Sequence, residues 1–216
     1  MRTEIVRAES EDALRHAVEV LQAGGLIAFP TDTVYGVAAL AWDEGAVNRL
    51  YEAKERPAQK AIPLLLADAD QLSRVATLPP QFAALTSHFW PGGLTLVLPK
   101  APAVPDAVSA GPTVAVRVPD LPLVRDLIHR AGGVLAVTSA NVSGRPSPVT
   151  AQEVEAQLGG RIALILDGGP CREGVPSTIL DCSVQPPVLL RRGAVSAADL
   201  RAVIGEIGIP GEEQRH

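Results

Sequence analysis

The chain has 216 residues, of which 47% are hydrophobic and 20% charged, and its formal net charge is −5. A chain of this length buries enough surface to fold without disulfides or a structural metal. Its composition is typical of a soluble globular protein. The negative net charge excludes a polycation built as a whole for nucleic acid, so any contact with RNA would need a local basic patch.

The cysteines and the apolar runs bear on the compartment. Cys171 and Cys182 lack the spacing of a zinc site and are too few for a disulfide framework. The amino terminus lacks the apolar core of a signal peptide, and no apolar run approaches the roughly 18 residues of a membrane span. We therefore expect a cytoplasmic protein with two ordinary thiols and no membrane association.

Predicted helices and strands alternate along the first half of the chain. Ser10 and Asp43 are in place to cap helices, and Gly24 with Gly25 ends the first of them. In order, the predicted elements are a helix after Ser10, a strand over 26–29, a helix from Asp43 to about Lys54, a strand over 62–67, a short helix from Asp68, and a helix after Pro80.

The second half contains the clearest strand patterns, over 95–99 and 113–119. Thr150 with Glu153 matches a capping box, and the tail over 209–216 is predicted to be frayed. The remaining predicted elements are a helix capped by Asp120, strands over 134–137, 163–167, 178–182 and 188–191, a helix after Thr150, and a helix capped by Ser196. Strands separated by helices predict an α/β fold, and strands separated by loops alone make the sheet mixed. We expect one domain over 1–216.

Polar segments lie where apolar runs stop, which in α/β sheets is where ligands collect. These segments are PTDTVYG (30–36), KERPAQK (54–60), the arginine of VAVRVP (Arg117), TSANVSG (138–144), and GVPSTILD (174–181) with LLRRG (189–193). Together they hold cations and small hydroxyl groups but no paired carboxylates, histidine-based triad or metal-ligand cluster. Such a set suits a polyanion such as a nucleoside triphosphate, although the chain has neither a GxxxxGKS/T loop nor a GxGxxG turn.

Each segment also has a purely structural interpretation. Thr31 and Thr33 are common turn residues, and the charges around Lys54 are balanced by neighbouring glutamates. Asp32 fits either water-mediated magnesium binding or a turn, as does Asp181. Arg117 is harder to explain structurally, because its neighbours in the strand are all apolar. The residues alone predict a phosphate- or carboxylate-binding α/β enzyme.

Taken together, the segments resemble the YrdC-like family of threonylcarbamoyl-AMP synthases. The resemblance runs from about Leu26 to Gly193, with PTDTVYG, KER, WPGGLTLVL, VAVRVP, SAN, SGRPSP, STILD and RRG in the family order. It implies a twisted mixed β-sheet with surrounding helices that enclose a positively lined cavity. It also implies an enzyme that joins L-threonine, bicarbonate and ATP, with Mg²⁺, into threonylcarbamoyl-AMP and pyrophosphate for the t6A modification at position 37 of tRNA.

The resemblance assigns roles by motif. The catalytic tetrad would be Lys54, Arg56, Ser139 and Asn141, and L-threonine would contact Thr33, Arg117, Ser139 and Ser177. ATP would contact Arg56, Lys60, Thr113, Asn141, Ser143 and Arg191, with Lys54 close to the phosphates. The resemblance leaves the magnesium ligand unassigned. It implies the downstream tRNA threonylcarbamoyl transferase complex as a partner, with weak binding of tRNA or double-stranded RNA.

Two departures from the family pattern stand out. Leu65 occupies the position of a histidine found in many relatives, nine residues after Arg56, and Ala61-Ile62 replaces Pro-Leu. The sequence also stops near residue 216, without the second domain of the longer members. It therefore resembles the short bacterial form, in which closure of the cavity is expected to come from elsewhere, such as the 101–112 loop.

Two competing functions remain at this stage. The same basic cavity would serve a double-stranded RNA-binding or ribosome-maturation factor, although the negative net charge and the threonine-matching hydroxyls speak against this as the main role. A paralogue with lost or altered activity is the other alternative, and the intact tetrad argues against it.

Overall fold

The computed structural model describes residues 2–57 and 60–210. Its strands are β1 (Glu4–Arg7), β2 (Ile27–Phe29), β3 (Gly36–Leu40), β4 (Leu64–Leu66), β5 (Leu94–Pro99), β6 (Thr113–Arg117), β7 (Val134–Ser139), β8 (Leu164–Asp167), β9 (Thr178–Asp181) and β10 (Val188–Arg191). Its α-helices are α1 (Glu11–Gln22), α2 (Glu44–Ala53), α3 (Ala83–Phe89), α4 (Pro122–Arg130), α5 (Ala151–Leu158) and α6 (Ala197–Ile204). Two 3₁₀ helices span Ala69–Arg74 and Pro80–Phe82.

All these strands form one sheet in the order β1-β8-β2-β3-β7-β4-β6-β5-β9-β10. Within the described residues, four of its pairings are parallel and five antiparallel. The predicted mixed α/β sheet is therefore confirmed. Parallel neighbours such as β1 and β8 are distant in sequence, whereas antiparallel neighbours such as β5 and β6 follow one another along the chain.

Strand alternation divides the core between the two faces of the sheet. In β4, Leu64 and Leu66 pack into the larger core cluster, and Leu65 faces the smaller cluster formed with α1 and α4. In β6, Val114 and Val116 likewise enter the larger cluster. Arg117, the next residue, points to the opposite face, which explains how an arginine is accommodated in an apolar strand.

Several predicted boundaries need correction. The sequence interpretation missed β1 and β3. Asp120 does not cap α4, because Leu121 occupies the N-cap and the Asp120 carboxylate pairs with Arg172 at 2.9 Å. The prediction of a frayed tail over 209–216 is wrong at Ile209, which is only 8% exposed and packs into the core. Residues 211–216 lie outside the described residues. Other caps are confirmed: Ser10, Asp43, Thr150 and Ser196 each accept a bond from the first turn of a helix.

Two further observations concern the cysteines and the hydrophobicity of the helices. Both cysteines are free thiols, with Cys182 buried and Cys171 partly buried, as the sequence predicted. In the described part of the chain, no helix is long and apolar enough to cross a membrane.

Candidate active site

A cavity of about 310 Å³ lies over strands β4, β6, β5 and β9, on the sheet face that α1 and α4 cover elsewhere. Six of the residues singled out by motif line it: Thr33, Arg56, Arg117, Ser139, Ser177 and Arg191. The polar segments at strand ends therefore converge, although they come from six separate stretches of the chain. Leu65 also lines the cavity, so the departure from the family histidine falls within the site.

The PTDTVYG segment forms a buried turn built on hydroxyl groups. Thr31 Oγ1 accepts from the backbone N–H groups of Thr33 and Val34, each at 3.2 Å, and donates to Val34 O at 2.7 Å. The two threonine hydroxyls lie 3.0 Å apart. Thr31 thus has the structural role of a turn residue, and Thr33 remains directed toward Arg117.

Arg117 is held by three partners at the end of β6. Its Nη2 donates to Asp32 Oδ1 at 2.5 Å, its Nη1 to Thr33 Oγ1 at 2.8 Å, and its Nε to Gly92 O at 2.8 Å. Arg117 is 5% exposed and Asp32 is 2% exposed. This places Asp32 as the counter-ion of Arg117, and its second oxygen, Oδ2, is buried without a hydrogen-bond partner from the protein.

Ser177 and Arg191 form the next part of the wall. Ser177 Oγ lies 2.8 Å from Thr95 Oγ1, and Arg191 donates to Ser177 O at 2.9 Å and to Ser177 Oγ at 3.1 Å. Gly193 packs on the same backbone so closely that a Cβ there would lie 2.3 Å from Pro176 O. This contact packs the RRG motif directly against the start of the STILD motif.

We call Lys54, Arg56, Ser139 and Asn141 the tetrad. Lys54, 1% exposed at the C-terminus of α2, donates from Nζ to the carbonyl oxygens of Ser139 and Asn141. Arg56 instead enters the cavity, with its Nε donating to Lys60 O at 3.0 Å and its Nη2 to Ala61 O at 2.8 Å. Lys54 therefore joins the two halves of the tetrad, while Arg56 presents its charge.

The SAN segment is bonded within itself as well. Ser139 Oγ donates to Asn141 Oδ1 at 2.5 Å, and Asn141 Nδ2 donates to Val142 O at 2.9 Å and Arg145 O at 2.8 Å. Ser143 donates its backbone N–H to Lys54 O at 2.9 Å, while its Oγ is buried without a hydrogen-bond partner from the protein. A ligand that reaches this loop would find that hydroxyl free to bond.

The site is electrostatically positive. Burial, and to a lesser extent the charge of Arg56, lowers the pKa of Lys54 to about 7. Burial also lowers the pKa of the Arg56 guanidinium, and the pKa of Arg191 is lowered by burial and then by the charge of Arg117. Arg191 is exposed as a whole residue, yet its guanidinium is close enough to Arg117 for the two charges to repel.

Other assigned residues lie outside the wall of the cavity. The side chain of Lys60 is exposed, and its carbonyl serves Arg56. Thr113 lies at the far end of β6, four residues and about 13 Å from Arg117. The described lining also omits Lys54, Asn141 and Ser143.

The acids of the site do not form a metal cage. Across residues 2–57 and 60–210, no group of three or more His, Cys, Asp or Glu is placed to hold a metal ion. Asp32 pairs with Arg117, and Asp181 accepts from Ser183 N and Oγ, so each of these carboxylates has a partner within the protein. A magnesium ion that keeps its waters and binds through substrate phosphates needs no such cage.

Two contributors escaped the sequence analysis. Thr95, 3% exposed, supports Ser177 from the neighbouring strand, and a hydroxyl within the apolar run of β5 was the available signal. The ion pair of Asp32 with Arg117 joins residues 85 positions apart, and no local pattern encodes it.

The 101–112 loop, which was named above as a candidate for closing the cavity, is anchored by Val104 and Val108, both buried in the core.

The fold and the site define a member of one family. The Sua5/YciO/YrdC family model, which bears the description "Telomere recombination", matches residues 19–193. The chain belongs to this family.

Particular relatives extend the match over most of the chain. Threonylcarbamoyl-AMP synthase from Pyrococcus abyssi is 45% identical over 198 residues, which cover 91% of this chain and 58% of the relative. The enzyme of the same name from Bacillus subtilis is 44% identical, and the match covers 93% of this chain and 59% of the relative. A crystal structure of P. abyssi Sua5 complexed with L-threonine matches with a TM-score of 0.91 and 44% identity, covering 97% of this chain and 62% of that one. The chain thus spans about three fifths of the length of these relatives.

Proposed function

We propose that the protein is an L-threonylcarbamoyladenylate synthase, which makes threonylcarbamoyl-AMP and pyrophosphate from L-threonine, bicarbonate and ATP. The observation that carries the proposal is one cavity lined by Arg56, Arg117 and Arg191 beside the hydroxyls of Thr33 and Ser177. Among the described residues, only Arg117 of these arginines has a carboxylate partner. The names of the relatives and the threonine complex of P. abyssi Sua5 support the proposal.

The threonine end of the site would be the wall around Arg117. A guanidinium fixed by Asp32 is suited to bind a planar carboxylate or carbamate with defined orientation. Thr33 and Ser177 offer hydroxyls that can donate or accept, and Ser139 would complete the contacts. Leu65 presents an apolar surface where many relatives offer an imidazole, so threonine would be held here without that contact.

The nucleotide end would be the wall around the tetrad. Arg56 would neutralise the phosphates from this wall, Arg191 would do so from the adjoining wall beside Ser177, and Ser139 would orient them. Asn141 lies outside the cavity lining and would act through its hydrogen bond with Ser139 Oγ. We keep Lys60, Thr113 and Ser143 as further ATP contacts, which would require the nucleotide to extend beyond the lined cavity. Mg²⁺ would be bound by the phosphates of ATP and would neutralise part of their charge, since the described residues include no cluster of metal ligands.

The reaction needs alignment more than an activated protein nucleophile. The amine of threonine forms an N–C bond to the carbon of bicarbonate, the hydroxide of bicarbonate leaves with the amine proton as water, and a carbamate results. A carbamate oxygen attacks the α-phosphorus, its new P–O bond forms as the bond to the β-phosphate oxygen breaks, and pyrophosphate leaves with the electron pair. The protein holds two anions in line and compensates their charge, which arginines and small hydroxyls can do.

We further propose the cytoplasm as the compartment and the t6A modification at position 37 of tRNA as the use of the product. A tRNA threonylcarbamoyl transferase complex would then be the downstream partner. Weak binding of tRNA or double-stranded RNA at the same basic cavity is the second role to be tested.

The deciding experiment measures pyrophosphate release from MgATP in CO₂-depleted buffer, with L-threonine and bicarbonate each added and omitted. We expect release that requires both, with threonylcarbamoyl-AMP identified by mass spectrometry. Pyrophosphate release that does not require both L-threonine and bicarbonate, or no release at all, would contradict the proposal. Salt-dependent binding of double-stranded RNA without any such turnover would instead support the RNA-binding role.

A further inference from the structure

The two loops that carry the tetrad share a support outside the cavity. Gln157 lies at the end of α5, and Arg161 follows it four residues later. Neither side chain lines the cavity, and no family motif of the sequence analysis includes either residue. Both nevertheless bond to the backbone of a tetrad loop.

Gln157 supports the loop that follows Ser139. Its Oε1 accepts from the backbone N–H of Val142 at 3.2 Å, and its Nε2 donates to Pro146 O at 3.1 Å. Asn141 reaches the same loop from within, through its bond to Arg145 O. The side-chain amide of Gln157 therefore holds residues 142–146 together from outside the loop. The side-chain amide of Asn141 holds the same loop from inside.

Arg161 supports the turn that carries Lys54 and Arg56. Its Nη1 donates to Ala53 O at 3.2 Å and to Glu55 Oε1 at 2.6 Å. Of the described residues other than glycine, only Glu55 has a positive φ, at 51°, a conformation that costs a residue with a Cβ. The turn at Glu55 sends Lys54 into the protein and Arg56 into the cavity, so a group that fixes Glu55 also fixes that divergence.

Lys54 couples the two supported segments. Its ammonium donates to Ser139 O and Asn141 O, and its own carbonyl accepts from Ser143 N at 2.9 Å. A shift of either loop would therefore be passed to the other. The Arg161–Glu55 ion pair alone is too exposed, at 41% and 62%, to contribute much stability, which leaves geometry as its main effect.

We propose that Gln157 and Arg161 are positioning residues that hold the two halves of the tetrad in register. The inference rests on the proposed function for its kinetic part, because the tetrad would align ATP. It concerns residues that touch neither substrate, and it makes the end of α5 part of the catalytic framework.

The kinetic test uses Gln157→Met and Arg161→Met. We expect kcat for pyrophosphate release to fall about 10- to 100-fold, because small displacements of aligning groups have effects of that size. KM for L-threonine should change less than kcat, since Thr33, Arg117 and Ser177 lie on other elements and Ser139 is the one threonine contact on a supported loop. Arg161→Lys should recover most of the rate, because an ammonium can reach the same two acceptors.

The matched controls replace exposed residues of the same types, Gln152 on α5 and Arg15 on α1. Gln152→Met and Arg15→Met should leave kcat unchanged. If Gln157→Met and Arg161→Met behave like these controls, or raise KM for threonine in proportion to the loss of kcat, the positioning role is wrong.

Hydrogen exchange separates this inference from the proposed function, because it needs no turnover. In each test variant, amide exchange should quicken over both 53–57 and 139–146, while 30–36 stays protected. Exchange confined to the loop that the altered side chain touched would refute the coupling. If the wild type releases no pyrophosphate but both loops respond together, the proposed function fails and the shared support stands.

Discussion

Arg117 and Arg56 face the same cavity but are held in different ways. Arg117 is buried and tied to the Asp32 carboxylate, whereas Arg56 donates only to the backbone oxygens of Lys60 and Ala61 among the described contacts. A carboxylate cancels most of the charge that it orients, and a carbonyl does not. We therefore expect Arg117 to orient a ligand and Arg56 to supply uncompensated charge.

The largest expected effect would test this difference through stability. Arg117→Met leaves Asp32 buried without its counter-ion, so the free energy of unfolding should fall by about 3–5 kcal/mol. Arg56→Met breaks no ion pair of the described residues and should cost about 1 kcal/mol or less. Urea titrations of both variants measure these free energies. Equal losses in the two variants would show that Arg117 and Arg56 do not differ in their contribution to stability. Adding Asp32→Asn to Arg117→Met should recover part of the loss.

For the rate of the reaction, we expect a large effect at Arg56. Arg56→Ala should lower kcat about 10²- to 10³-fold, the scale for losing one preorganised charge-stabilising donor. KM for L-threonine should change little, because the threonine contacts lie around Arg117. Steady-state pyrophosphate release checks both parameters, and near-normal turnover would remove Arg56 from the catalytic assignment.

A smaller effect is expected where the Arg117 wall depends on close packing. In Gly193→Ala, the new Cβ would meet Pro176 O at 2.3 Å and would push on the backbone of Ser177. Overpacking of this kind should cost about 1–3 kcal/mol and should weaken threonine binding. Gly111→Ala is the control, since a Cβ there has nothing within 4 Å. Thermal unfolding with and without threonine distinguishes the two variants.

The last expected effect depends on pH and concerns the ammonium of Lys54. Burial lowers its pKa to about 7 in the folded state, while the unfolded chain keeps the usual value of about 10.5. Between these values the unfolded state binds more protons, so stability relative to Lys54→Met should rise as pH rises from 7 to 9. Tm values of the two proteins across this range test the sign. A flat difference would mean that the two carbonyl acceptors hold the lysine charged.

The sequence was most informative where local patterns determine structure. Helix caps such as Ser10 and Thr150 were predicted because the capping bond joins residues three apart. Arg117 was singled out because an arginine among apolar strand residues needs a partner. The identity of that partner was beyond reach, because Asp32 meets it only through the packing of distant strands.

The two missed strands show the same limit. β1 is a four-residue edge strand whose pairing with β8 joins residues 160 positions apart. β3 is GVAAL, whose small residues carry little of the β-branched signal that marks strands. In the site, motif order indicated which segments converge. It did not show that Lys54 turns away from the cavity lining, because that depends on the left-handed backbone of Glu55.

The closeness of Arg191 to Arg117 has a consequence for anions in solution. The charge of Arg117 contributes to the lowered pKa of Arg191, and an anion bound beside both guanidinium groups would offset that repulsion. We therefore expect sulfate, phosphate and pyrophosphate to bind at this place. A phosphate buffer would then compete with any anionic ligand of the cavity.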